Sequence, residues 1–238
     1  MIQAKGLMKR FRKRTVLSDF DFDVQPGAVT VLLGRNGAGK STFLRLALGV
    51  LKADAGHLRV GGHDPVRKPR SVREAVGYVP DRPDVYEWMT PRDLYRFLKP
   101  QYPTWNDDNV VRTATTLGVP LTTPFSGLSR GEGMKAMLVA ALAHQPPLLL
   151  LDEPFAGLDP VVREEVLRGV IGELRSGEHT VLCATHDLDV AARIADRVAI
   201  LNEGRIAVHG TLEEVLDIDE EAARIPERMR VLMAGMTA

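Results

Sequence analysis

The chain has 238 residues, 45% of them apolar and 26% charged, a composition that supports a sizeable core in one domain or one and a half. Lysine plus arginine equal aspartate plus glutamate at 31 each, so no global charge points to nucleic acid, and a single cysteine excludes a disulfide framework and favours a reducing compartment. No apolar run approaches the roughly 18 residues of a membrane span, so a membrane role needs a partner chain.

In chain order, Ile2 to Met8 and Asp19 to Val24 read as strands, the second with Phe20, Phe22 and Val24 alternating as in a half-exposed sheet. Between them lies the basic run Lys9 to Arg14, which reads first as a solvated face. The N-terminus lacks the apolar core of a secretory signal. Pro26-Gly27 turns the chain into Val29 to Leu33, a β-branched and leucine run of strand length.

Gly34 to Ser41 then reads G-R-N-G-A-G-K-S, the spacing of a phosphate-binding loop, with a helix following from Thr42 to Leu48. Gly37 and Gly39 can adopt backbone angles closed to other residues, so successive amides among Gly34, Arg35, Asn36, Gly37, Ala38 and Gly39 can turn toward one phosphate. The loop feeds a helix N-terminus, whose unpaired N–H groups and dipole favour an anion. Lys40 can place its ammonium on the β- and γ-phosphates, Ser41 its hydroxyl on Mg²⁺, and Thr42 can add a further phosphate contact.

Leu51 to Gly62 has the turn residues of a further strand pair, and Val76 to Val79 is a short strand closed by Pro80. From Asp81 the texture changes. Thr90-Pro91-Arg92-Asp93 carries the start signals of a helix running to about Lys99. Asn106 or Asp107 can cap a second ending near Leu117-Gly118, and a third begins around Ser129 and continues to Ala143. Three helices with no strand between them suggest a helical subdomain inserted over about 81–144.

Pro147 to Leu151 is the continuous apolar run of a strand buried on both faces of a parallel sheet. It ends in Asp152-Glu153, at the strand edge where such sheets bind ligands. Asp152 is placed to hold Mg²⁺, directly or through water, and Glu153 to polarise an attacking water; acids at such edges also cap the next helix. Val162 to Leu174 reads as a helix, Thr180 to Ala184 as a strand with Cys183 buried in it, and Leu188 to Ala195 as a helix. Arg197 to Leu201 and Arg205 to Val208 form a hairpin, and Thr211 with Glu214 a capping box for a short helix. An acidic run, Glu213 to Glu221, leads into a charged tail interrupted by Pro226.

This order of motifs resembles the ATP-binding subunit of an ABC transporter over about residues 1–211. The resemblance rests on the phosphate loop, on Leu128-Ser129-Arg130-Gly131-Glu132 as a signature motif, and on the Asp152-Glu153 pair. It rests also on Ala156-Gly157-Leu158-Asp159 as a D-loop, on His186 as a switch histidine, and on Phe11 at the position of an adenine-stacking aromatic. It implies a P-loop α/β core with an antiparallel β subdomain, an inserted helical subdomain and a C-terminal tail over 212–238.

It further implies a head-to-tail dimer in which Ser129 and Gly131 of one copy close on ATP held by the other, with Asp159 at the seam and His186 near the γ-phosphate. Glu153, His186 and Lys40 would carry catalysis, and Ser41, Asp81 and Asp152 the metal. Asp81 stands where the family commonly has glutamine, Arg130 where it has a second glycine, and Glu132 where it has glutamine. An acid at 81 is similar to a bacterial exporter subgroup. The activity implied is ATP hydrolysis that powers transport, in the export direction, through separate membrane subunits that hold the chain at the cytoplasmic face of the membrane. The rival is a soluble ABC-type ATPase acting on nucleic acid or ribosomes. A P-loop kinase and a nonhydrolytic module are the further alternatives; the first leaves the signature unexplained and Glu153 speaks against the second.

Overall fold

In the computed structural model, residues 1–176, 179–216 and 230 are described. The elements run β1 (Ile2–Phe11), β2 (Arg14–Val24), β3 (Val29–Leu33), α1 (Lys40–Ala47), β4 (Ala55–Val60), α2 (Pro69–Ala75), β5 (Val76–Val79) and α3 (Pro91–Leu98). They continue with α4 (Asp107–Thr116), α5 (Arg130–Leu142), β6 (Leu148–Asp152), α6 (Pro160–Ser176), β7 (Thr180–Thr185), α7 (Leu188–Ile194), β8 (Arg197–Asn202), β9 (Arg205–Thr211) and α8 (Leu212–Leu216). Mixed parallel and antiparallel sheets flanked by helices make this the predicted α/β class.

The chain divides into two compact units, one of residues 1–73 and 180–238 and one of residues 74–179. In the first, β2, β1 and β4 form an antiparallel sheet. Beside it β3 runs parallel between β7 and β8, and β9 returns antiparallel on β8. Every residue of β7 is buried, Cys183 among them, as a strand covered on both faces requires. Phe20 and Phe22 of β2 meet Phe43 of α1 with ring centroids 4.7 and 5.6 Å apart. Three fully desolvated rings thus fix the helix that follows the phosphate loop against the antiparallel sheet.

In the second unit, β5 pairs in parallel with β6, all five residues of which are buried. Three helices, α3, α4 and α5, occupy the interval between those strands. Their starts follow the predicted chemistry. Thr90 closes a capping box with Asp93, and Asn106 caps α4 by accepting the N–H of Asn109 at 3.0 Å. Ser129 closes a second box with Glu132.

Several predicted elements change on folding. The strand pair over Leu51 to Gly62 is a single strand, β4, because its hydrogen-bond partner is β1 and not a neighbouring hairpin arm. Asp54 ends its approach, accepting the N–H of Arg10 at 2.6 Å and the Lys9 ammonium at 3.1 Å. The first helix starts at Lys40, two residues before the predicted Thr42, since Gly39 takes the N-cap in a left-handed conformation. The helix α2 carries no periodic apolar face and was not predicted, although Pro69 supplies a start signal. The Thr211 and Glu214 box is present, with bonds of 3.1 and 2.7 Å. Of the predicted tail, 212–216 form α8, while 217–229 and 231–238, with most of the acidic run and Pro226, lie outside the described residues.

Candidate functional site

The phosphate loop is shaped by close approach. At Gly39, with φ +116°, a Cβ would lie 2.9 Å from Leu17 Cδ2 and 3.2 Å from the carbonyl of Val16. A Cβ on Gly34 would lie 2.8 Å from the carbonyl of Leu201. The loop is therefore pressed against β2 and β8 at points where only glycine fits. Gly37 also has positive φ, at +81°, and the turn closes by a bond from Ala38 N–H to the Arg35 carbonyl at 3.1 Å.

Lys40, the first residue of α1 and only 5% exposed, donates through Nζ to the carbonyls of Gly34 at 2.7 Å and Arg35 at 3.4 Å. An ammonium held across a loop of backbone amides at a helix N-terminus forms an anion cradle. Arg35, Asn36 and Gly37 are exposed at its mouth, with Ser41 and Thr42 half-buried in the first turn of the helix.

A residue that the sequence did not single out joins the loop. Arg14, at the start of β2 and inside the basic run, donates through Nη2 to the carbonyl of Gly37 at 3.1 Å. The run gave only a solvated-face signal, because register across β1 and β2, with Phe11 opposite Arg14, decides which of its cations reaches the loop. Phe11 is 42% exposed at the end of β1, with Lys9 Nζ 5.4 Å from its ring centroid. His186 is exposed directly after β7, and the next residue, Asp187, caps α7 through the N–H groups of Asp189 and Val190.

The second unit carries the remaining candidates. Asp152 ends β6 at 1% exposure. Glu153 follows with φ +48°, a left-handed conformation that costs a side-chain-bearing residue energy and so marks a fixed turn. Asp159 accepts the N–H of Val161 at 2.9 Å through its carboxylate and that of Arg163 through its carbonyl, so it caps α6. Asp81 is exposed after β5, and its carbonyl accepts Arg130 Nη2 at 3.4 Å.

Ser129 is engaged on both its groups: its Oγ accepts the Glu132 N–H at 3.3 Å, and its N–H is accepted by Glu132 Oε2 at 2.8 Å. The bonds from the Ser129 hydroxyl and amide hold the Glu132 carboxyl below the usual carboxylate range. A Cβ on Gly131 would lie 2.5 Å from Val162 Cγ1, which explains glycine at that position. Hydroxyl and carboxylate oxygens are the hard donors that Mg²⁺ takes, with phosphate completing its shell, so Ser41, Asp81 and Asp152 fit that ion by type. Among the described residues no group of three His, Cys, Asp or Glu could hold a metal by itself.

Residues 17–156 match the family model described as ABC transporter. Over 224 residues the chain is 33% identical to the lipopolysaccharide export system ATP-binding protein LptB of Acidithiobacillus ferridurans, across 91% of this chain and 92% of that one. It is 36% identical over 221 residues to the sulfate/thiosulfate import ATP-binding protein CysA of Mycobacterium tuberculosis, across 90% and 62%. A solved structure described as the ATP binding subunit of an ABC transporter superposes with a TM-score of 0.84 at 28% identity, covering all of both chains. A dimeric ATP-binding cassette bound to ADP and Pi shares the fold, with a TM-score of 0.77 at 20% identity over 89% of this chain and 98% of that one.

Proposed function

The chain belongs to the ABC transporter family as one of its ATP-binding, ATP-hydrolysing subunits, and from that premise we propose that it powers transport through separate membrane subunits. The observation that carries the reading is the phosphate cradle: Lys40 strung across a glycine loop that neighbouring backbone keeps free of side chains, at the head of a helix anchored by three rings.

In the proposed reaction the cradle, formed by Gly34 to Ser41 with Thr42, binds the triphosphate, and Lys40 offsets charge on its outer phosphates. Phe11 stacks on the adenine. Ser41, Asp81 and Asp152 would hold Mg²⁺, which would supply neutralisation of the charge that develops on the transferred phosphoryl. Glu153 orients or deprotonates the attacking water, and the turn that fixes its backbone favours such a role. Ser129 and Gly131 close on nucleotide held by a second copy or a related chain, Asp159 lies at that seam, and His186 senses the γ-phosphate.

We also propose that 1–211 form one nucleotide-binding domain with its helical subdomain at 81–144, and that residues from 212 onward form an appended tail. No helix among the described residues is long and apolar enough to cross a membrane. Tyr86 and Trp88, stacked at 5.7 Å and each 70% exposed, are an aromatic face suited to a membrane partner. Export is the proposed direction, supported by the relative named for export, 92% of whose length this chain spans, against 62% for the import relative.

Phosphate release from Mg·ATP by the purified chain, followed with its assembly state, tests the reading. Turnover lost in Glu153→Gln and nucleotide binding lost in Lys40→Ala support it; absence of ATP binding in the unaltered chain overturns it. Salt-sensitive binding to nucleic acid with no membrane protein co-purifying would favour the soluble rival instead.

A further inference from the structure

The first turn of α5 lies unusually close to two other segments of its unit. A Cβ on Gly133 would stand 3.2 Å from Pro83 Cγ, so the turn abuts the loop that follows β5. A Cβ on Gly131 would overlap Val162 and touch Leu158 Cδ2 at 4.0 Å, so it also abuts the segment entering α6. Arg130 reaches both neighbours. Its Nη2 donates to the Asp81 carbonyl at 3.4 Å, while the guanidinium lies over the backbone of Gly157. A Cβ there would be 2.5 Å from Nη1 and 3.1 Å from Cζ.

Gly157 has φ +66° and lies four residues beyond Glu153, itself at φ +48°. The turn between them is tied by bonds from Ala156 N–H to the Glu153 carbonyl at 3.1 Å and from Leu158 N–H to the Phe155 carbonyl at 3.5 Å. A displacement at Gly157 is therefore passed to Glu153 through a short, internally bonded stretch. The planar, delocalised guanidinium is suited to this double task, since it can rest on a peptide face and still direct an N–H sideways. A lysine ammonium can reach one carbonyl but cannot cover the glycine.

We infer that Arg130 is a positioning residue whose guanidinium straps the turn after Glu153 to the loop at Asp81, setting where the Glu153 carboxylate stands. The inference rests on the proposed ATPase reading for its consequence, but the strap itself is a property of this unit and can be read without turnover. Arg130 touches neither substrate nor metal in this account. It acts through the backbone of residues 153–157.

The test is a double-substitution cycle on the full chain using Arg130→Gly, Gly157→Asn and both together. Asparagine is among the side chains best tolerated in the left-handed conformation at 157, so its Cβ displaces the guanidinium at a small backbone cost. Each single change should lower kcat about tenfold with KM for ATP within about twofold, because a small misplacement of a reacting group affects the chemical step and not binding. The double variant should be no slower than Arg130→Gly, since the strap is already gone, and Arg130→Lys should recover part of kcat.

Amide hydrogen exchange over residues 155–159 should rise in Arg130→Gly and in Gly157→Asn, with the rest of the unit unchanged. Wild-type exchange at that turn in Arg130→Gly would overturn the strap whatever the turnover. Losses that multiply in the double variant, or full kcat without Arg130, would overturn it as well. If the strap is seen in exchange but the unaltered chain binds no ATP, the failure belongs to the functional reading.

Discussion

Glu132 Oε2 accepts the N–H of Ser129 at 2.8 Å, and Ser129 Oγ accepts the N–H of Glu132 at 3.3 Å, so the proposed nucleotide-covering serine is also the cap of its own helix. The Ser129 hydroxyl and the Ser129 N–H both favour the charged Glu132 carboxylate and hold its pKa below the ordinary value. The cap therefore contributes fully above the ordinary carboxylate range and is lost as pH falls through the lowered folded value. Glu132→Ala should cost about 1 kcal/mol at neutral pH. Glu132→Gln keeps both bonds and should hold stability near wild type at pH 7 while flattening the acid limb. Urea midpoints at pH 7 and across the acid limb check this; a Gln variant as unstable as the Ala variant would count against the box.

Lys40 is nearly buried and spans its own loop. Lys40→Ala removes a charge-assisted donor, an interaction of about 1.5–3 kcal/mol, so ATP affinity should fall by roughly ten- to a hundredfold. Titration with a fluorescent ATP analogue measures it, and undiminished binding would move the phosphate elsewhere.

Glu153→Gln should bind ATP as the unaltered chain does, yet turn it over slower by on the order of a hundredfold or more. Dimer should accumulate in the presence of Mg·ATP, because closure no longer leads to hydrolysis. Phosphate-release kinetics with size-exclusion chromatography separate the two effects; wild-type turnover would remove Glu153 from the reaction.

Within the Lys9–Arg14 run, Arg14 bonds the phosphate loop, at the Gly37 carbonyl. An exposed charge-assisted bond of this kind is worth about 0.5–1 kcal/mol. Arg14→Ala should therefore raise KM for ATP two- to fivefold by that estimate, and Lys13→Ala should leave it unchanged. Equal effects from both substitutions would mean that the run acts as a diffuse field.

His144 is buried, 2% exposed, and stacks on Tyr102 at 4.1 Å between ring centroids. Burial pushes its pKa down from 6.5 to about 4. The folded chain keeps the ring neutral while the unfolded chain protonates it, so this stability is complete above about pH 6.5 and is lost as pH falls toward 4. His144→Phe keeps a ring against Tyr102 and should lose less stability between pH 7 and pH 5 than the unaltered chain. Parallel urea midpoints at the two pH values decide it, and identical losses would clear His144.

Much of the fold was legible because its signals are local. Thr90, Asn106, Ser129 and Thr211 announce their helices through partners three residues away. The buried strands β3, β6 and β7 stand out as short apolar runs. The departures lie where a distant partner rules, as in β4, whose edge belongs to β1, or α2, which has a proline start but no apolar period.

The candidate site divides in the same way. Sequence alone determined which residue types follow one another: the glycine loop with Lys40 and Ser41, the acids closing an apolar strand, the capped signature helix. Tertiary structure alone decided that Arg14 meets Gly37, that Gly39 is pressed against Leu17, and that Arg130 lies over Gly157 beside Asp81. The physical reason is separation along the chain. A cap or a buried run is set by bonds and burial within a few residues, whereas strand register and the approach of one backbone to another are fixed only when remote segments pack.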